Sequence, residues 1–76
     1  MNALLEEVRT AKRLRSPQVA KAIRLGAGVS LRRLAIEVGV SPAALLAWEE
    51  GRYKPRGSNR VIYIDLLEAL SREVSA

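Results

Sequence analysis

The side chains of this sequence that can do chemistry are mostly cations, and they are sorted along the chain. No acidic residue lies between Glu7 and Glu37, an interval that holds Arg9, Lys12, Arg13, Arg15, Lys21, Arg24, Arg32 and Arg33. A second acid-free interval, between Glu50 and Asp65, carries Arg52, Lys54, Arg56 and Arg60. The sign then reverses, with Asp65, Glu68 and Glu73 against Arg72. Segregated positive charge sets up a surface potential that draws polyanions. Cations also keep a leucine-rich protein in solution, but that role does not require sorting them by segment. Ten of the thirteen cations are arginine, whose planar fork suits phosphate and the guanine edge better than the point charge of lysine, although a GC-rich genome gives the same bias.

Catalysis finds no comparable set of groups. Histidine and cysteine are absent, which removes the usual bases, thiol nucleophiles and soft metal ligands. The acidic pairs Glu6-Glu7 and Glu49-Glu50 are sequence neighbours, and neighbours on a helix point in different directions. Ser30, Ser41 and Ser58 read as helix caps with no base beside them. No glycine-rich loop follows a strand in the way a phosphate cradle requires. The expectation is therefore a protein that is not an enzyme and needs no cofactor, metal or small-molecule ligand. Without cysteine the expected compartment is a reducing cytoplasm. Glu6 and Glu7 interrupt the only apolar start, so no secretory signal or membrane span is expected.

These cations must be held by helices. Residues 2–15 place Leu4, Leu5, Val8, Ala11 and Leu14 at helical spacing, with charge on the other side. Ser16-Pro17 is a start signal, a hydroxyl cap followed by proline at the first helical position. The helix it opens carries Val19, Ala22 and Ile23 and stops at Gly26-Ala27-Gly28. Ser30 caps a third helix with Leu31, Leu34, Ala35 and Val38 facing inward, ended by Gly39. Ser41-Pro42 repeats the start signal and opens a fourth through Glu50, with Leu45 and Trp48 inward. Residues 52–57 form a basic loop containing Pro55. Ser58 or Asn59 then caps a last helix with Val61, Ile62, Ile64, Leu66, Leu67 and Leu70. The expected fold is all-α, a small five-helix bundle in one domain spanning residues 1–76, with a tail over 71–76.

Only Gly39-Val40-Ser41 joins the third and fourth helices. A link that short forces a steep crossing, and glycine gives the backbone freedom the turn needs. Ala35 is small where the helices must approach closely, and Val40 plugs the gap beneath the turn. This is the sequence logic of a helix-turn-helix.

The stretch Ile23-Arg24-Leu25-Gly26-Ala27-Gly28-Val29-Ser30-Leu31-Arg32-Arg33-Leu34-Ala35 resembles the opening of the lambda-repressor and Cro-type (XRE-like) helix-turn-helix family. The likeness continues through Gly39-Val40-Ser41, Leu45, Trp48-Glu49, Gly51 and Pro55 and covers a core of residues 17–70. The helix over 2–15 is an addition to it. The resemblance implies double-stranded DNA as partner, with the helix from Pro42 to Glu50 lying in the major groove. It implies that amides in the first turn from Ser41 face a phosphate. It also implies that Arg24 and Glu49 form a buried salt bridge that orients the recognition helix. At the biological scale it implies a phage, prophage or small bacterial transcription regulator, associated with the nucleoid in the cytoplasm.

The chain departs from the family where bases are read. Those positions are Pro42, Ala43, Ala44, Leu46 and Ala47, none able to make a bidentate bond to a base edge. Leu31 stands where relatives often carry a glutamine that contacts phosphate. What remains to the helix is apolar contact with thymine methyl groups. Candidate backbone contacts are Arg32, Arg33, Asn59 and Arg60, while Arg52, Lys54 and Arg56 suit the backbone or a narrow minor groove. The alternative is a protein-interaction module, or an antitoxin-like accessory factor, docking through the apolar face of Pro42, Ala43, Leu46 and Ala47. A homodimer through the first helix (Leu4, Leu5, Val8, Leu14) or the last (Val61, Ile62, Leu66, Leu70) is a further possibility.

Overall fold

The computed structural model describes residues 2–75, the side chain of Ser75 excepted. Five helices follow one another and no strand occurs among the described residues: α1 (Ala3–Arg13), α2 (Pro17–Gly26), α3 (Leu31–Val38), α4 (Pro42–Glu49) and α5 (Gly57–Ser75). No helix is long and apolar enough to cross a membrane.

Four helix starts follow from short polar side chains that accept from an otherwise orphaned backbone N–H. Asn2 accepts from the Leu4 N–H at 2.9 Å, Ser16 from Val19 at 3.2 Å, Ser30 from Arg33 at 3.0 Å and Ser41 from Ala44 at 3.1 Å. The fifth start differs from the expectation. Ser58 and Asn59 are not caps but lie inside α5, because Gly57 turns the chain into the helix with φ +60°. The Arg56 carbonyl then accepts from the Arg60 N–H at 3.3 Å. Residues 71–75 are likewise not a tail, since α5 runs through them.

The core is a cluster from α2 to α5: Ala20, Leu34, Ala35, Val38, Leu45, Trp48, Tyr63 and Leu67. Trp48 and Tyr63 meet at its centre with ring centroids 5.1 Å apart and planes tilted by 49°, an arrangement that suits the ring quadrupoles. Two inward assignments shift by one residue. Ala20 is buried while Val19 and Ala22 are exposed, and Tyr63 is buried while Val61 and Ile62 are exposed. Periodicity locates a helical face to within about one residue, and small offsets in crossing geometry choose between neighbours.

The first helix is amphipathic as expected, yet it contributes no buried residue. Its contact with α5 includes polar groups, and just past its end Leu14 packs against the core. Glu6 and Thr10 border a shallow groove with Ser58, Arg60 and Val61, and Arg13 donates to Asp65 at 2.8 Å and to Glu68. Positions 6, 10 and 13 share one face, so Leu4 and Val8 turn elsewhere; Leu4 is 66% exposed.

Candidate nucleic-acid interface

The junction between α3 and α4 is made by three residues. Gly39 adopts φ +90°, ψ 32°, a left-handed conformation open to glycine at little cost. The N–H groups of Gly39 and Val40 both donate to the Ala35 carbonyl, at 2.9 and 3.0 Å. Val40 is half-buried against the core. α3 and α4 are thereby held as one unit, with Leu34, Ala35 and Val38 packed beside Leu45 and Trp48.

The far end of α4 is fixed by charge. Arg24, on α2, donates from Nε to Glu49 Oε2 at 2.7 Å and from Nη2 to Glu49 Oε1 at 2.9 Å. Its Nη1 donates to the Val29 carbonyl at 2.9 Å. Both residues are only 7% exposed. The hydrogen bonds to Glu49 raise the Arg24 guanidinium above its ordinary range, against the opposing effect of burial. One bidentate pair therefore ties α2, the loop before α3 and the carboxy-terminal turn of α4 together.

What α4 offers to a partner is narrow. Pro42, Ala43, Leu46 and Glu50 are exposed, and at 100° per residue these four fall within one arc of about 100°. Ala44 is half-buried behind them. Ala47 is not part of the exposed face, being 5% exposed. The chain folds back after Gly51, so that the N–H groups of Arg52 and Tyr53 donate to the Ala47 carbonyl at 2.9 and 3.4 Å. That turn takes up the Ala47 carbonyl, and spacing along α4 alone carries no sign of it. Glu50, overlooked in the sequence, lies on the exposed arc and holds Arg52 at 2.7 Å.

The other candidate cations divide into groups. Arg32, Lys54 and Arg56 are exposed and have no carboxylate within 4 Å among the described residues. Arg33 is exposed but engaged with Glu37 at 2.9 Å, one turn on. Asn59 and Arg60 are half-buried. Arg60 lies in the groove between α1 and α5, with its Nε buried and unpartnered among the described residues. Pro55 is buried and anchors the loop that carries Lys54 and Arg56. Among the described residues no cluster of acidic side chains could hold a metal ion. No family model matches the chain, and no curated protein or solved structure matches it either.

Proposed function

We propose that this chain is a helix-turn-helix regulator that binds double-stranded DNA, with α4 in the major groove and cations of α3 and of the loop after α4 on the backbone. The buried Arg24–Glu49 pair carries the reading. It occupies the two positions that the family resemblance pairs, and it fixes the angle of the helix that would enter the groove. The left-handed Gly39 and the half-buried Val40 between α3 and α4 lend further support.

In this reading Pro42, Ala43 and Leu46 touch base edges through apolar contact, favouring thymine methyls. Arg32, Lys54 and Arg56 neutralise phosphates or enter a narrow minor groove, which gives selectivity by shape. Arg33 and Arg52 contribute only by exchanging their carboxylate partners for phosphate, at lower net gain. Ala47 takes no part, Arg60 stays with α1, and Asn59 is half-buried. The exposed Leu4, Leu5 and Val8, or Val61 and Ile62, are the surfaces through which two copies would span two half-sites.

A second reading has its own observation. The exposed arc of α4 is apolar until Glu50, and Leu46 is 41% exposed, so the same ridge suits a protein partner. A DNA titration at two salt concentrations separates the two, using a random duplex and fragments of the gene's own locus. Phosphate binding weakens with a log-log slope of about −0.9 per phosphate neutralised. The Arg32→Ala/Arg56→Ala variant should then show a slope shallower by about 2. Absent binding, or binding indifferent to salt and to that variant, would reject the DNA reading in favour of the protein partner.

A further inference from the structure

A groove of about 290 Å³ runs between the end of α1, the start of α2 and the turn after α4. Its apolar walls come from Leu14, Pro17, Ala20 and Pro55, with the edges of the buried Trp48 and Tyr63 at its floor and the exposed ring of Tyr53 at its side. Two charged side chains line it, Arg15 and Lys54, and both are cations. Neither has a carboxylate within 4 Å among the described residues. Tyr63 is 2% exposed and borders the same space.

We propose that this groove binds a small single-ring aromatic carboxylate, its ring among the apolar walls and its charge toward Arg15 and Lys54. The volume decides the size of the occupant. Ligand sites run from roughly 300 to 1,000 Å³, so this one takes one ring and a short acid arm, not a nucleotide. Charge decides its sign, because the lining has cations and no acid to oppose an anion. The exposed ring of Tyr53 decides its shape, since it offers a further ring the offset or tilted contacts that aromatic groups prefer. The site lies beside α4 but outside its exposed arc. It goes beyond the DNA-binding reading and does not depend on it, although an anion held there would compete with phosphate for Lys54.

The test uses the full-length protein without DNA. Amide-correlation NMR is followed while phenylacetate, or its neutral amide, is titrated to about 10 mM, a range that captures affinities near 1 mM. Trp48 is the sole tryptophan, so its indole N–H is an unambiguous reporter. Expected are saturable shifts at that signal and at Gly51, with the acid bound at least about tenfold more tightly than the amide, or 1.4 kcal/mol. The Arg15→Gln/Lys54→Gln variant should erase that preference. Ala11→Phe, on the exposed rim, should block both probes while the protein stays folded. Equal affinity for acid and amide, shifts that do not saturate, or shifts spread over other surfaces would overturn the proposal.

Discussion

Arg24 makes three hydrogen bonds from a nearly buried position, two to Glu49 and one to the Val29 carbonyl. Removing one partner of such a pair leaves an uncompensated charge in a poorly solvated place, which typically costs about 3–5 kcal/mol. Arg24→Ala and Glu49→Gln should therefore each lower stability by about 3 kcal/mol or more, a shift of about 4–8 °C in Tm for every kcal/mol at this size. The double variant Arg24→Met/Glu49→Leu should recover part of that loss, because it leaves no stranded charge. Thermal melts of the three decide the matter, and single variants that melt like the parent would deny the pair its structural role. Tyr63 gives a second prediction at this scale. Burial first, and the nearby Glu49 carboxylate second, push its hydroxyl up to about 12, against about 10 in an unfolded chain. The folded state thus holds this proton more tightly. Its contribution is complete below about pH 10 and is lost as pH rises from about 10 to about 12. Urea midpoints should fall across that window in the parent and in Tyr53→Phe, whose ring is 69% exposed. They should fall less in Tyr63→Phe, and an equally steep fall there would place the titrating group elsewhere.

At the scale of the element, the helix starts at Ser16-Pro17, Ser30 and Ser41-Pro42 were legible because the cap and the donor it satisfies lie within three residues of each other. The start of α5 was not. Gly57 sets it through a backbone dihedral, and glycine names no single conformation in advance. The two glycines at the ends of α2 and α3 allow a clean comparison. A Cβ would meet nothing within 4 Å at either Gly26 or Gly39, so packing does not distinguish them. Only Gly39 is left-handed, at φ +90°. Gly39→Ala should cost about 1–2 kcal/mol in denaturant unfolding. Gly26→Ala should be neutral or stabilising by up to about 1 kcal/mol, since alanine has the better helix propensity. A neutral Gly39→Ala would mean that the turn between α3 and α4 relaxes without its left-handed residue.

Over the whole molecule, α2 to α5 supply the buried core and α1 lies on its outside. The radius of gyration is 12.2 Å, slightly above the roughly 11.4 Å expected for a compact chain of this length, in keeping with a helix laid on the outside. Hydrogen bonds to Glu68 and Asp65 raise the Arg13 guanidinium above its ordinary range, but all three side chains are well exposed. Exposed ion pairs contribute little to stability and weaken with salt. Arg13→Ala should therefore leave global unfolding nearly unchanged while raising amide exchange across α1. A large loss of global stability would show that α1 belongs to the cooperative core.

The sequence by itself determined the number of helices, most of their boundaries and the inward places of Leu34, Ala35, Val38, Leu45 and Trp48. Those follow from caps, from proline at first positions and from 3.6-residue periodicity, all of which act within a turn or two. Tertiary structure decided what depends on neighbours far along the chain. Arg13 reaches Asp65 and Glu68, 52 and 55 residues on, and Arg60 is drawn against α1. The apolar face of α1 was read correctly as a face, but of its large side chains only Leu14, just past the end of the helix, packs against the core, while Leu4, Leu5 and Val8 stay exposed. A local pattern specifies which side chains share a face, whereas the partner of that face is chosen by the packing of the whole chain.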